Sequence, residues 1–415
     1  MYNTIFFIII GILVFEFLLE RLLDYLNSTK RSTVLPKELE GIYDSEKYKQ
    51  QQQYEKANST FSGISSTFNL LIFLLMFFLG GFSYVNKIAL GVSDHPIITA
   101  LVFFGILIIG NEIINIPFAL YDTFVIEERF GFNKTTPKTF VLDKIRLWIL
   151  AAVIGGGLLS LIILFYQQAT ENFWIYAWIV ISAFLIFLTI FYSTLIVPLF
   201  NKQTPLEEGQ LRNEIKSFCE KAGFKLDNVF VIDGSQRSTK ANAYFSGLGR
   251  RKRIVLFDTL INDLKIQEVV AVLAHEIGHF IKKHVRQYIV LSIIQTGLLL
   301  YIFSLFVDSP ELSKALGVET PSFHIGLISF GILYSPISTI LGLLMNMLSR
   351  KNEYEADRFA KEHYDVNALA SSLKKLSVKN LSNLTPHPAY VFFHYSHPPL
   401  LQRLKALGET VNNNE

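Results

Sequence analysis

Cysteine is nearly absent from these 415 residues: Cys219 stands alone. No disulfide can form within the chain, and a metal site would have to be built from imidazoles and carboxylates rather than thiolates. Charge is scarce as well. Asp, Glu, Lys and Arg make up 18% of the sequence, against roughly 25% in a soluble globular chain. The formal net charge is only +3, and no basic stripe interleaved with aromatics is present, so the chain lacks the electrostatic footprint of a nucleic-acid binder. Apolar residues are plentiful: 51% are hydrophobic, with 36 Phe and 18 Tyr. That composition excludes an ordinary soluble enzyme and places the chain in a lipid bilayer, with aromatics facing lipid or the headgroup belt.

Seven mostly apolar runs approach or exceed the roughly 20 residues needed to cross the hydrocarbon core. They are Tyr2–Leu19, Ile64–Tyr84, Ile97–Ile116, Ile145–Tyr166, Phe173–Val197, Val285–Val307 and Ile325–Leu348. The first has no basic leading segment and no small-residue cleavage site, and it carries Glu16, so it reads as a retained span rather than a signal peptide. Basic residues crowd two connecting loops. One holds Arg21, Lys30, Arg31, Lys37, Lys47, Lys49 and Lys56, the other Arg129, Lys134, Lys138 and Lys144, whereas the opposite short loops offer only Lys87 and Lys314. The positive-inside rule then puts the N-terminus outside and the C-terminus in the cytoplasm. The expected organisation is five spans with their loops over residues 1–197, a cytoplasmic segment over 198–284, spans six and seven over 285–348, and a second cytoplasmic segment over 349–415.

The chemistry sits where the last two spans meet these segments. Glu268–Phe280 reads as a helix with Asp263 as its N-cap. Within it, His275 and His279 lie one turn apart on one face, so both imidazoles can reach one ion, and Glu276 sits beside them. A zinc ion lowers the pKa of a water from near 16 to about 7, and Glu276 is placed to orient and deprotonate that water. Catalytic zinc takes a third protein ligand and keeps one position open. Span seven returns the chain to the membrane face where His279 lies, and the first acidic residue after that return is Glu353. Asp357, four residues on along the same helix face, can accept the free N–H of a ligating histidine. Glu355 points elsewhere and reads as structural.

Strands are expected at Asn228–Asp233, Asn242–Phe245 and Arg253–Phe257. Proteases that add substrate as a strand need an exposed sheet edge; Asn242, Ala243 and Tyr244 form the candidate edge, although a core strand has the same pattern. Ser396–Arg403 starts another helix with proline in its first turn. His397 and Arg403 there are either a surface pair or groups able to stabilise an oxyanion or bind a substrate carboxylate. His284, His324, His363, His387 and His394 belong to no constellation.

Taken with Tyr121–Lys134, Val197-Pro-Leu-Phe200 and Ser396-His-Pro-Pro399, these motifs resemble the CAAX prenyl protease 1 family of integral membrane zinc endopeptidases over nearly the whole chain. The resemblance implies a mainly α membrane protein whose seven helices form a barrel around a water-filled chamber, with a zincin-like α+β catalytic domain on the cytoplasmic side. It implies one Zn2+ held by His275, His279 and Glu353, and roles at the site for Asn242, His397 and Arg403. It also implies a prenylated C-a-a-X protein or peptide as substrate, losing its last three residues. Polar residues inside the spans (Glu16, Ser65, Ser66, Thr67, Asn69, Asn111, Glu112, Asn115, Gln295, Asn346) suit either a wet chamber or interhelical hydrogen bonds. One rival reading is a quality-control protease that cuts misfolded membrane proteins without a prenyl group. Another is a transporter, which would place its ionisable groups near the bilayer midplane rather than at the ends of spans six and seven. Without an ER signal at the C-terminus, a bacterial inner membrane is favoured over the endoplasmic reticulum.

Overall fold

In hydrocarbon, an apolar run of this length satisfies its backbone N–H and C=O groups by becoming an α-helix, and helices dominate the structure. This is a computed structural model, and it describes residues 3–32, 34–224, 229–247 and 253–408. The first half is helical: α1 (Thr4–Ser28), α2 (Ser45–Phe78), α3 (Gly81–Val92), α4 (Pro96–Tyr121), α5 (Pro137–Leu150), α6 (Gly156–Ala169) and α7 (Phe173–Phe191). The second half begins with β1 (Gln203–Pro205), α8 (Gln210–Lys221), β2 (Val229–Ile232), β3 (Ala243–Ser246) and β4 (Arg253–Phe257). It continues through α9 (Asp258–Asp263), α10 (Ile266–Ile281), α11 (His284–Phe306), α12 (Pro310–Ala315) and α13 (Phe323–His363). Three helices close it: α14 (Val366–Lys379), α15 (Pro388–His394) and α16 (Leu400–Leu407).

Among the described residues, six helical stretches are long and apolar enough to cross a membrane: Ser45–Phe78, Pro96–Glu127, Pro137–Ala169, Phe173–Leu199, His284–Phe306 and Phe323–His363. The seventh expected span is a helix, α1, but Glu16, Glu20 and Arg21 fall within its first five turns and set it apart from these six. Glu16 is turned inward, where the Ser335 hydroxyl donates to its carboxylate at 2.6 Å. The second span ends at Phe78 rather than Tyr84, because Gly80 takes a left-handed φ of 68° and a new helix starts beyond it.

The last span differs most from expectation. The helix does not stop at Leu348 but runs on for 41 residues, through Pro336, to His363. At 1.5 Å per residue that is about 60 Å, twice the thickness of the hydrocarbon core. Its C-terminal turns therefore stand clear of the apolar stretch, and they carry Glu353, Glu355 and Asp357.

The four strands form one sheet in the order β1-β2-β4-β3, with β2 parallel to β4 and the outer strands antiparallel. β1, three residues ending in a proline, escaped the sequence reading; the start expected for β2 at Asn228 lies outside the described residues. Ile254, Val255 and Leu256 of β4 are fully buried, as a central strand covered on both faces requires. One hydrophobic core then joins segments from either side of the α11–α13 hairpin: Ile215 and Phe218 from α8, Leu256, Val269 to Leu273 from α10, Phe359 from α13 and Leu369 from α14. At about 1.5–3 kcal/mol per large buried side chain, this core fixes α10 against α13. Within the spans, Asn69 bonds Asn115 at 3.1 Å, Lys144 bonds Glu112 at 3.0 Å and Asn346 donates to the Phe393 carbonyl at 2.8 Å. Part of the intramembrane polar set is thus satisfied between helices.

Candidate active site

α10 begins at Ile266, and the Glu268 carboxylate turns back to accept the Lys265 N–H at 2.8 Å, satisfying one of the orphan donors of the helix start. Asp263, expected as the N-cap, instead ends α9 and pairs with Lys379 at 3.1 Å; the extended residues Leu264 and Lys265 separate the two helices, with Lys265 at the N-cap of α10. Where α10 crosses α13 stands Gly278. A Cβ there would lie 3.1 Å from Ala356 Cα and 3.2 Å from both Ala356 O and Phe359 Cβ, so the missing side chain lets the two backbones touch. That contact sets the distance from the histidines to Glu353. Gly278→Leu is expected to cost about 1–3 kcal/mol of stability by overpacking and to weaken metal binding about tenfold. Wild-type Tm and metal content in the variant would remove this role.

The three expected ligands meet. His275 Nε2 lies 3.1 Å from His279 Nε2, Glu353 Oε1 lies 3.2 Å from His279 Nε2, and Glu353 Oε2 lies 3.4 Å from His275 Nε2. Ligand atoms around one tetrahedral ion at about 2.0–2.1 Å would stand roughly 3.3 Å apart. Glu353 Oε2 is buried and makes no hydrogen bond, with only the longer contacts to His275 Nε2 at 3.4 Å and Arg403 Nη1 at 3.6 Å beside it, so it has capacity for a closer cation. Among the described residues this is the one His/Cys/Asp/Glu trio with the spacing to hold an ion. The site favours positive charge: burial opposes protonation of His275, but the Asp357 and Glu353 carboxylates outweigh it and raise its pKa to about 9.

Around the trio, His275 Nδ1 donates to Asp357 Oδ1 at 2.9 Å. Arg403 does not reach into open space. Its Nε and Nη2 donate to Asp357 Oδ2 and Oδ1 at 2.8 and 2.6 Å, and its Nη1 stands 3.6 Å from Glu353 Oε2. His397 Nε2 lies 3.2 Å from Glu353 Oε1, with its side chain 65% exposed at the rim. Glu276 is partly buried, and desolvation raises its carboxyl pKa above the ordinary range, the direction that suits a general base. β3 lies at one edge of the sheet, as expected for Ala243 and Tyr244, and Asn242 is exposed just before it. Phe245 packs its ring, tilted by 41°, with its centroid 4.9 Å from that of Phe280, joining the strand to the end of α10. Beside the strand is a cavity of about 310 Å³ lined by Leu188, Tyr192, Tyr244, Phe245 and Val285 among others.

Residues 24–202 match the CAAX prenyl protease N-terminal family of five membrane helices, and residues 205–411 match peptidase family M48. CAAX prenyl protease 1 of Saccharomyces cerevisiae is 36% identical over 96% of this chain and 94% of its own. The chain belongs to the CAAX prenyl protease 1 family. Homologues from Arabidopsis thaliana (34% identical, 96% of each chain) and Homo sapiens (32%, 91% of this chain and 89% of its own) agree. A crystal structure of Ste24p from S. mikatae matches with a TM-score of 0.93 at 33% identity, covering 99% of this chain and all of that one. This CAAX prenyl protease 1 family member is therefore an integral multi-pass membrane metallopeptidase. The relatives named here are eukaryotic and lend no support to the bacterial membrane favoured from the sequence.

In this family member, sequence reasoning missed one group at the site. His284, placed in no constellation, is buried with Nδ1 3.0 Å from His279 Nδ1 and Nε2 3.3 Å from Glu355 Oε2. Glu355, read as structural and pointing elsewhere, is thereby linked to the histidine pair. The other four histidines do lie apart: His324 accompanies Asn86, His363 stacks on Phe359, His387 caps α15 and His394 faces Glu20.

Proposed function

We propose that this metallopeptidase is zinc-dependent and removes the C-terminal tripeptide from prenylated CAAX proteins or peptides. The observation that carries the reading is the His275–His279–Glu353 triangle, one of whose carboxylate oxygens makes no hydrogen bond, set in a chain aligned over nine-tenths or more of its length with proteins named CAAX prenyl protease 1. Two histidines and a glutamate are a donor set that favours zinc. When bound, zinc supplies Lewis-acid polarisation at the reacting carbonyl and water. Glu276 takes a proton from the attacking water and delivers it to the leaving amine. Asp357 fixes the His275 ring by accepting its Nδ1–H, and Arg403 holds Asp357 through two hydrogen bonds while its Nη1 adds positive charge beside Glu353. His397, exposed at the rim, donates to the developing oxyanion. The substrate backbone pairs with the free edge of β3 at Ala243 and Tyr244, aligned by the Asn242 amide.

The membrane part is a seven-helix barrel around a wet chamber, with α1 as its seventh member. In support, at most 17% of the apolar stretch of any of the six spans is buried, whereas a solid bundle would bury one face of every helix. By the positive-inside rule, the basic loops Arg21–Lys56 and Arg129–Lys144 support a cytoplasmic active site and C-terminus.

The test is cleavage of a farnesylated C-a-a-X peptide and its unprenylated twin, with and without a zinc chelator. Cleavage of the farnesylated peptide alone, abolished by chelation and restored by zinc, is the expected result. Equal metal-dependent cleavage of both would replace CAAX processing with quality control. Chelator-resistant cleavage would overturn the zinc assignment.

A further inference from the structure

We propose that His284 is a positioning residue for the metal site, holding the His279 imidazole in the orientation and tautomer that aim its Nε2 at the ion. The inference rests on reading His275, His279 and Glu353 as ligands. The two ligand histidines are supported differently. His275 turns its Nδ1 directly onto the Asp357 carboxylate at 2.9 Å. His279 turns its Nδ1 onto a second imidazole, His284 Nδ1, at 3.0 Å.

Two ring nitrogens at that distance share one hydrogen, and the chemistry decides whose it is. A histidine that offers Nε2 to a metal keeps its hydrogen on Nδ1, so His279 donates and His284 Nδ1 accepts. His284 then carries its own hydrogen on Nε2 and donates it to Glu355 Oε2, 3.3 Å away. The chain runs in one direction, imidazole to imidazole to carboxylate, and each link polarises the next. His284 is only 2% exposed, so both ring nitrogens need partners, and this chain supplies them.

The backbone is arranged to put His284 there. Lys283, the second of the two residues between α10 and α11, has a φ of 63°, a left-handed conformation that costs a non-glycine residue about 1–2 kcal/mol. This turn breaks the helix and leaves His284, the first residue of α11, against His279 in the last turn of α10. From α13, the Asn352 amide donates to Gln287 Oε1 at 3.2 Å and Tyr288 OH at 3.1 Å, pinning the first turn of α11 beside Glu355.

The experiment uses the full-length protein in detergent, with His284→Phe, His284→Asn and Glu355→Ala. Zinc affinity is read by chelator competition, ligand geometry by the visible spectrum of the cobalt(II)-loaded protein, and folding by Tm. His284→Phe is expected to weaken zinc binding about 10–100-fold, the loss typical of removing a ligand's outer partner, and to shift the cobalt bands. His284→Asn, whose Oδ1 can accept the His279 Nδ1–H, should recover most of that affinity, and Glu355→Ala should lose less than His284→Phe. Wild-type affinity and spectrum in a folded His284→Phe would overturn the proposal. If that variant does not fold, unchanged zinc affinity in Glu355→Ala does the same. A wild-type protein that binds no zinc would overturn the ligand reading itself, and this inference with it.

Discussion

Glu276→Gln is expected to lower turnover by about 10²–10⁴-fold, while metal content and Tm remain those of the wild type. Helix geometry is the reason for the separation. His275 and His279 lie one turn apart on the face of α10 that meets Glu353, whereas Glu276, the next residue round, forms no edge of the His275–His279–Glu353 triangle. Glutamine keeps the volume of the side chain and its amide can still orient a water, so packing is undisturbed. The ability to take up a proton is lost. Burial has already raised the Glu276 carboxyl pKa above the ordinary carboxylate range, so the native group is a stronger base than an exposed glutamate and remains able to return the proton. A 10²–10⁴-fold loss corresponds to about 2.7–5.4 kcal/mol of barrier, the share asked of one acid–base group. Turnover near wild type would end the general-base assignment. Loss of metal along with turnover would make Glu276 part of the metal framework instead.

The parts of the site legible in the sequence are those fixed by local periodicity or by the membrane itself. His275, Glu276 and His279 follow from helical spacing alone. Glu353 follows from hydropathy, because two successive spans must return the chain to the face it left, and Asp357 from the next turn of the same helix. The misses have a common cause in backbone turns and docking that spacing does not encode. His284 is five residues beyond His279, a separation that would place it on another face had the helix continued; only the left-handed turn at Lys283 brings it back. The bidentate grip of Arg403 on Asp357 depends on where α16 docks, which is a matter of tertiary packing. Hydropathy read Ile64–Tyr84 as one run because Gly80 and Gly81 do not lower it enough, while the positive φ of Gly80 divides it. β1 is too short to show any alternation, and its strand identity comes from pairing with β2.

Glu353→Gln is expected to weaken metal binding by more than about 100-fold, beyond the 10–100-fold typical of losing an outer partner, and to reduce turnover to background. The carboxylate is the one anionic member of the trio. Its oxygens face His275 Nε2 at 3.4 Å, His279 Nε2 at 3.2 Å, His397 Nε2 at 3.2 Å and Arg403 Nη1 at 3.6 Å. An amide of the same shape keeps the packing but presents one weaker neutral oxygen, with its NH₂ turned toward donors or the ion. Two imidazoles alone leave the ion short of a ligand and without charge compensation. Asp357→Asn is the informative contrast, because it disturbs the support of His275 while leaving all three ligands in place; its loss should stay within the 10–100-fold range. The order of effects therefore separates direct coordination from positioning. Wild-type metal affinity in Glu353→Gln would remove Glu353 from the ligand set. Equal losses in both variants would mean that the site fails as a packed unit rather than ligand by ligand, and measuring Tm beside metal content distinguishes that outcome from coordination chemistry.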